Sequence, residues 1–135
     1  MQLSTYLFFD GNCSDAVKFY EKHLGAKVVV MMRNADAPPE AKIPGGDNMI
    51  MHVRMDIGAN MLLASDCPPN MFDKPQGFRV MFGVEKTAEG ERVFNALSEG
   101  GTVQMPYQKT FWAHRFGMVT DQFGIPWMIN CEKEA

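Results

Sequence analysis

The stretch from Thr110 to Cys131, TFWAHRFGMVTDQFGIPWMINC, decides the fold. Arg115 to Thr120 and Ile125 to Cys131 are rich in apolar, aromatic and β-branched side chains, as strands are. Between them lies Asp121-Gln122-Phe123-Gly124, whose glycine supplies the positive φ that a tight turn requires. The reading is a β-hairpin. Its second strand alternates Ile125, Trp127 and Ile129 with Pro126, Met128 and Asn130. Because successive side chains point to opposite faces, one set can pack under helices while the other faces a cavity.

Working back from the hairpin, Phe78 to Glu85 reads as a strand and Thr87 as a helix N-cap. Val93, Phe94 and Leu97 form the buried stripe, Gly100-Gly101 the stop, and Thr102 to Met105 the next strand. The first half repeats that order. Leu3 to Phe9 is a strand ending at Asp10-Gly11-Asn12, and Asn12 or Ser14 can cap a helix. Val17, Tyr20 and Leu24 make its apolar face, Gly25 ends it, and Lys27 to Arg33 returns as a strand. A shift of about 75 positions superposes Asp10 on Glu85, Phe19 on Phe94, Gly25 on Gly100 and Val28 on Val103. The fold class is therefore α+β, built of two βαβββ modules.

Residues 34 to 48 hold Pro38-Pro39, Pro44 and Gly45-Gly46 and are expected to form a loop, a candidate lid over a site. Met49 to Asp56 and Asn60 to Asp66 then form a second hairpin. With a two-residue connection at Gly58-Ala59, Asp56 faces Met61, Arg54 faces Leu63 and His52 faces Ser65, all on one side. A three-residue connection would instead pair His52 with Ala64 and bring Asp66 to its side. Residues 67 to 77, with Pro68-Pro69 and Pro75, read as the linker between module one (about 1–66) and module two (about 78–135) of one domain, 1–135.

Composition bounds the function. A hydrophobic content of 46% is enough for a core without disulfides or metal. A net charge of −3, with no Lys/Arg cluster, argues against nucleic acid or an anionic membrane surface as partner. No apolar run reaches the ~18 residues that span a bilayer, and the first residues lack the pattern of a secretory signal. Cys13, Cys67 and Cys131 are odd in number and widely spaced, which fits a reducing compartment, and a cytoplasmic protein is expected. A buried free thiol is a weak nucleophile candidate.

With the modules, linker and hairpin in hand, the chain resembles the glyoxalase/bleomycin-resistance/dihydroxybiphenyl-dioxygenase (vicinal oxygen chelate) superfamily, and within it the PhnB-like branch. The resemblance covers nearly the whole chain. It is carried by YLFFDGNC at 6–13, AVKFYEKHLGA at 16–26, SDCPP at 65–69, TFWAHRFG at 110–117 and VTDQFGIPWMIN at 119–130. It implies that the modules curl into a half-open mixed β-sheet barrel, usually in a homodimer. In metal-dependent members, four side chains on the first and last strand of each module hold a divalent ion. Here those positions carry Thr5, Leu63, Arg79 and Met128, and neighbours such as Tyr6 or Ala64 are no better suited to a hard cation. Some relatives carry a methyltransferase label, but no glycine-rich turn follows a strand here to seat a nucleotide methyl donor.

These residues lead to an expectation: a metal-free, cofactor-free protein that binds a small organic molecule. His52, Arg54, Ser65, Trp112, Met128 and Asn130 are the expected lining. His52 beside Arg54 and a hydroxyl suits a carboxylate or phosphonate, or a general base; a histidine hydrogen-bonded within a sheet is its plain structural alternative. Trp112, Phe111, Phe116 and Trp127 suit an aromatic wall, with core or interface packing the alternative. Twelve methionines serve a compliant pocket or a soft core equally well. His114 and His23 read as structural, and Asp66 and Asp121 as turn-making residues. The competing readings are a metal-dependent lyase, isomerase or transferase with a displaced ligand set such as His52 and Asp66, and a fold retained as an interaction module.

Overall fold

A computed structural model describes residues 1–134. The chain divides into two compact units, Met1–Asp73 and Lys74–Ala135, with the boundary inside the proline-punctuated stretch 67–77. The first unit runs β1 (Thr5–Phe9), α1 (Cys13–Leu24), β2 (Lys27–Arg33), β3 (Ile50–Ile57) and β4 (Asn60–Asp66). The second runs β5 (Val80–Gly83), α2 (Thr87–Ser98), β6 (Thr102–Gln108), β7 (Arg115–Thr120) and β8 (Pro126–Cys131). Each unit is a four-stranded sheet, in order β1-β4-β3-β2 and β5-β8-β7-β6. In both, the first strand lies parallel to the last and the other pairs are antiparallel. The repeated βαβββ module is thus present in topology as well as in order.

Each core is the layer between a sheet and its helix. In the first unit α1 buries Cys13, Ala16, Val17, Tyr20 and Leu24, the stripe its spacing requires. The sheet answers with Leu7, Phe9, Val53, Met55, Leu62 and Ala64, all 5% exposed or less. In the second unit Val93, Phe94 and Leu97 of α2 are buried, as are Val119, Trp127, Ile129 and Cys131 of the sheet. Gly117, on that side, lies so close to Phe94 that a Cβ there would sit 2.7 Å from its ring. Gly25 ends α1 in the left-handed conformation, φ 68°, as expected of a C-terminal glycine.

The helix starts differ from the sequence expectation. Asn12 occupies the N-cap position of α1, yet neither it nor Ser14 caps the helix. The Cys13 N–H donates instead to Asp66 Oδ1 at 2.9 Å, while Asp66 Oδ2 accepts from Ile50 N–H at 2.9 Å. Thr87 is the first residue of α2 rather than its cap, and its hydroxyl turns to the Glu134 carboxylate at 3.2 Å. A carboxylate brought in from β4 thus replaces a local cap in α1, a long-range solution that local sequence does not advertise.

The β7–β8 hairpin is organised by Asp121. Its Oδ1 accepts from the N–H groups of Phe123 (2.9 Å) and Ile125 (3.0 Å), and its Oδ2 accepts from Trp127 Nε1 at 2.9 Å. One buried carboxylate therefore closes the turn and satisfies the indole of the largest core side chain.

Candidate functional site

The side of each sheet turned away from its own helix holds the predicted site residues. In the first unit the hairpin uses the two-residue connection, since Arg54 pairs with Leu63 and Asp56 with Met61. His52, Arg54, Asp56, Met61, Leu63 and Ser65 therefore share one face. Tyr6 pairs with Leu63 and Phe8 with Ser65, which brings both aromatics of β1 to the same side. The Tyr6 hydroxyl lies 3.1 Å from His52 Nδ1, with the rings 5.7 Å apart and stacked. When the phenol donates, the imidazole is neutral with its proton on Nε2; protonating His52 makes Nδ1 a donor and turns the phenol into an acceptor. Arg54 Nε donates to Asp56 Oδ1 at 3.1 Å. At that degree of exposure the pair is worth about 0–1 kcal/mol, but it places a carboxylate beside the guanidinium that an anionic ligand would need. Ser65, only 6% exposed, is the register partner of Phe8 on the adjacent strand.

In the second unit, Met81, Met128, Met118 and Met105 pair in sequence across all four strands, making a row of thioethers. The adjacent row is Gly83, Asn130, Phe116 and Gln108. Trp112, on the loop before β7, packs edge-on against Phe116 with centroids 5.4 Å apart, and remains 49% exposed. Phe111 in turn packs edge-on against Trp112 at 4.9 Å. The structure thus gathers His52, Arg54 and Ser65 on the sheet of the first unit, and Met128 and Asn130 on the sheet of the second, whose β6–β7 loop carries Trp112.

Several expectations are corrected. Asp66 cannot join His52 in a ligand set: the two-residue connection puts it on the helix-covered side, where both carboxylate oxygens already hold backbone N–H groups. Thr5 pairs with buried Leu62 and shares the side of Leu7 and Phe9, so it is Tyr6 and Phe8 that face away from α1 on β1. Trp127 belongs to the core and not to an aromatic wall, being 1% exposed with its N–H on Asp121. The stretch 34–48 is the expected loop, with two short 3-10 turns, and it is tied internally by one side chain. Asn34, 2% exposed, donates from Nδ2 to the carbonyls of Ile43 (2.8 Å) and Gly46 (2.9 Å) and accepts from Ile43 N–H at Oδ1 (2.9 Å). His114 is not among the corrections: its backbone N–H donates to Glu132 O and its ring lies 3.6 Å from Glu134, contacts that suit the structural role read for it.

The positions at which the family holds a divalent ion do not fit one. Leu63 and Met128 offer no hard donor, and Tyr6 is engaged with His52. Arg79 brings a positive charge, donating to Gln104 Oε1 and to the carbonyls of Val119 and Trp127 at 3.2–3.4 Å. Among the described residues no three His, Cys, Asp or Glu side chains converge as a metal cluster. The thiols are equally unsuited to nucleophilic chemistry. Burial, reinforced by the Asp66 charge, pushes the Cys13 pKa up to about 12. Burial also raises Cys67, with Asp10, Asp66 and Asp73 adding to it. Both stay protonated at neutral pH.

Sequence reasoning did not single out Tyr6, Met81 or Gly83. Tyr6 and Met81 were legible as the odd members of alternating strands; Gly83 carries no signal until the strand register is known.

Comparisons with known proteins agree with this architecture. The family model described as Glyoxalase/Bleomycin resistance protein/Dioxygenase superfamily matches residues 2–129. Protein YjdN of Escherichia coli is 38% identical over 99% of this chain and 97% of its own length. Protein PA1353 from Pseudomonas aeruginosa, known from a crystal structure, is 43% identical with a TM-score of 0.90, covering 99% of both chains. A Bacillus cereus structure described as a putative 3-demethylubiquinone-9 3-methyltransferase, PhnB protein, shares the fold at 20% identity and a TM-score of 0.82, covering 96% of this chain and 98% of its own. A repeated βαβββ module, a family match over almost the full length and close relatives of the same size lead to one conclusion: this chain belongs to the glyoxalase/bleomycin resistance protein/dioxygenase superfamily.

Proposed function

We propose that this protein binds a small organic molecule on the helix-free faces of its sheets and needs no metal to do so. The observation that carries this reading is the character of those faces. Phe8 (52% exposed), Met81 (57%) and Trp112 (49%) stand partly open to solvent on faces that also carry a few polar groups. Apolar surface with sparse, placed polar atoms is the usual chemistry of organic-ligand sites. The donor set argues in the same direction, because the family's metal positions here hold a leucine, a methionine, an arginine and an engaged tyrosine. The reading carries with it a homodimer in the cytoplasm, with neither nucleic acid nor a membrane as partner. No helix of the described chain is long and apolar enough to cross a bilayer.

The test is a thermal-shift screen of organic compounds run with and without EDTA, alongside elemental analysis of chain purified without chelator. The expected result is a rise in Tm for at least one compound class, unchanged by EDTA, with metal well below one equivalent. Stoichiometric Zn, Ni, Mn or Fe, or a rise that EDTA abolishes, would overturn the metal-free reading. A protein that co-purifies while no compound stabilises the chain would make it an interaction module. Sedimentation analysis checks the dimer.

A further inference from the structure

On the first sheet, the face turned away from α1 carries hydrogen-bond donors that the protein itself does not use. Arg54 meets the rest of the chain through Nε alone, which donates to Asp56 Oδ1 at 3.1 Å, so both of its Nη groups have no partner among the described residues. With the Tyr6 phenol donating to Nδ1 at 3.1 Å, His52 carries its proton on Nε2, which likewise has no partner among them. Solvent reaches both residues. The Arg54 side chain is 42% exposed, and His52 is half-buried. They lie two positions apart on β3, which sets their Cα atoms about 7 Å apart on one face, a spacing that a single carboxylate can bridge with one oxygen toward each.

The surroundings are apolar. Val30 pairs with Arg54 and Met32 with His52 on β2, and both are exposed. On the other flank Leu63 pairs with Arg54, Tyr6 pairs with Leu63, and the exposed Phe8 ring lies 5.0 Å from that of Tyr6. The charges on this face are few. Lys27 pairs with Asp56, so two cations, Lys27 and Arg54, stand with one carboxylate, and with His52 neutral the face keeps one positive charge. A monocarboxylate balances it.

We propose that Arg54 and His52 are the recognition point for an organic monocarboxylate, whose carboxylate accepts from Arg54 Nη and His52 Nε2 while its apolar body lies over Leu63 and Phe8. The inference rests on the small-molecule reading above and narrows its ligand to that class. Donors to a charged acceptor form the stronger class of hydrogen bond, and a guanidinium offers a carboxylate its planar fork. Tyr6 is a positioning residue: it holds the imidazole tautomer that keeps a donor on Nε2.

The probes are 2-naphthoate and 2-naphthamide, which share a flat apolar body and differ in the charged group, titrated into the ¹⁵N-labelled chain by NMR. Naphthoate should shift the Arg54 side-chain Nε–H and the backbone amides of Phe8 and Leu63 in a saturable way, and naphthamide should bind about tenfold more weakly. Arg54→Gln should lower naphthoate affinity about tenfold and leave naphthamide unchanged. Asp56→Asn, which keeps an acceptor for Arg54 Nε and removes the competing charge, should tighten naphthoate binding about threefold, a gain that damage to the fold would not give. Equal affinities for the two probes, naphthoate affinity unaltered in Arg54→Gln, or no saturable naphthoate binding would each overturn the carboxylate site. Naphthamide binding as tightly as naphthoate, or either probe shifting the Trp112 indole N–H in place of Arg54, would refute this inference while leaving small-molecule binding intact.

Discussion

Three polar or ionisable groups inside the fold, those of Asp121, Asn130 and Cys13, carry energetic signs that can be measured. Asp121 accepts three hydrogen bonds, two from backbone and one from the Trp127 indole. Asp121→Ala would strand those donors in the core, so we expect a loss of about 3 kcal/mol and a fall in Tm of roughly 10 °C, read by calorimetry. Asn130 is the converse case, because its unpaired oxygen already costs stability in the free protein. Asn130→Leu should raise stability by about 1 kcal/mol in urea melts. Cys13 sets an alkaline limit. Its pKa in the folded chain is raised to about 12 from an ordinary 9, so the native state holds a proton that the unfolded chain releases. That contribution is intact below pH 9 and declines between pH 9 and 12 by about 1.4 kcal/mol per unit. Urea melts at pH 9 and 10 should show the extra loss in the natural chain and not in Cys13→Ala.

At the scale of elements, what was legible depended on how far apart the cooperating residues lie. Both helices and the β7–β8 hairpin follow from spacing within about a dozen residues, and the alternation of Trp127 and Ile129 against Met128 and Asn130 correctly assigned the faces of β8. The β3–β4 hairpin was legible, but the choice between its two connections was not, and the pairing of Ile57 with Asn60 decides it. The α1 start was not legible, since its N–H is held by Asp66, 53 residues away. Nor was the pinning of the stretch 34–48. Proline and glycine punctuation there predicts a loop, but nothing local reveals that Asn34 ties it with three side-chain hydrogen bonds. Asn34→Ala should therefore cost about 2–3 kcal/mol locally and open the segment to proteolysis near Gly45-Gly46, with the rest of the chain intact. Protease digestion followed by mass spectrometry checks this. For the same reason the faces that carry the candidate site were legible in part: the side of Met128 and Asn130 followed from alternation, that of His52 and Arg54 waited on the β3–β4 register, and that of Tyr6 needed the parallel pairing of β1 with β4.

For the whole molecule, family membership and the modular topology are shown, and the proposed function departs from the chemistry of metal-dependent relatives within the family. The same scaffold positions that hold a hard cation in those relatives carry leucine, methionine and arginine here, beside a tyrosine bonded to His52. Such a set has no means of polarising an oxygen substrate, but it suits an apolar molecule with few polar groups. The account's central claim is that ligand binding proceeds without a metal, and the most direct measurement is the affinity of the best compound from the thermal-shift screen, determined by calorimetric titration before and after exhaustive EDTA treatment. The account predicts the same Kd in both. A tenfold or greater weakening after EDTA, restored by adding back one equivalent of a divalent ion, would contradict it.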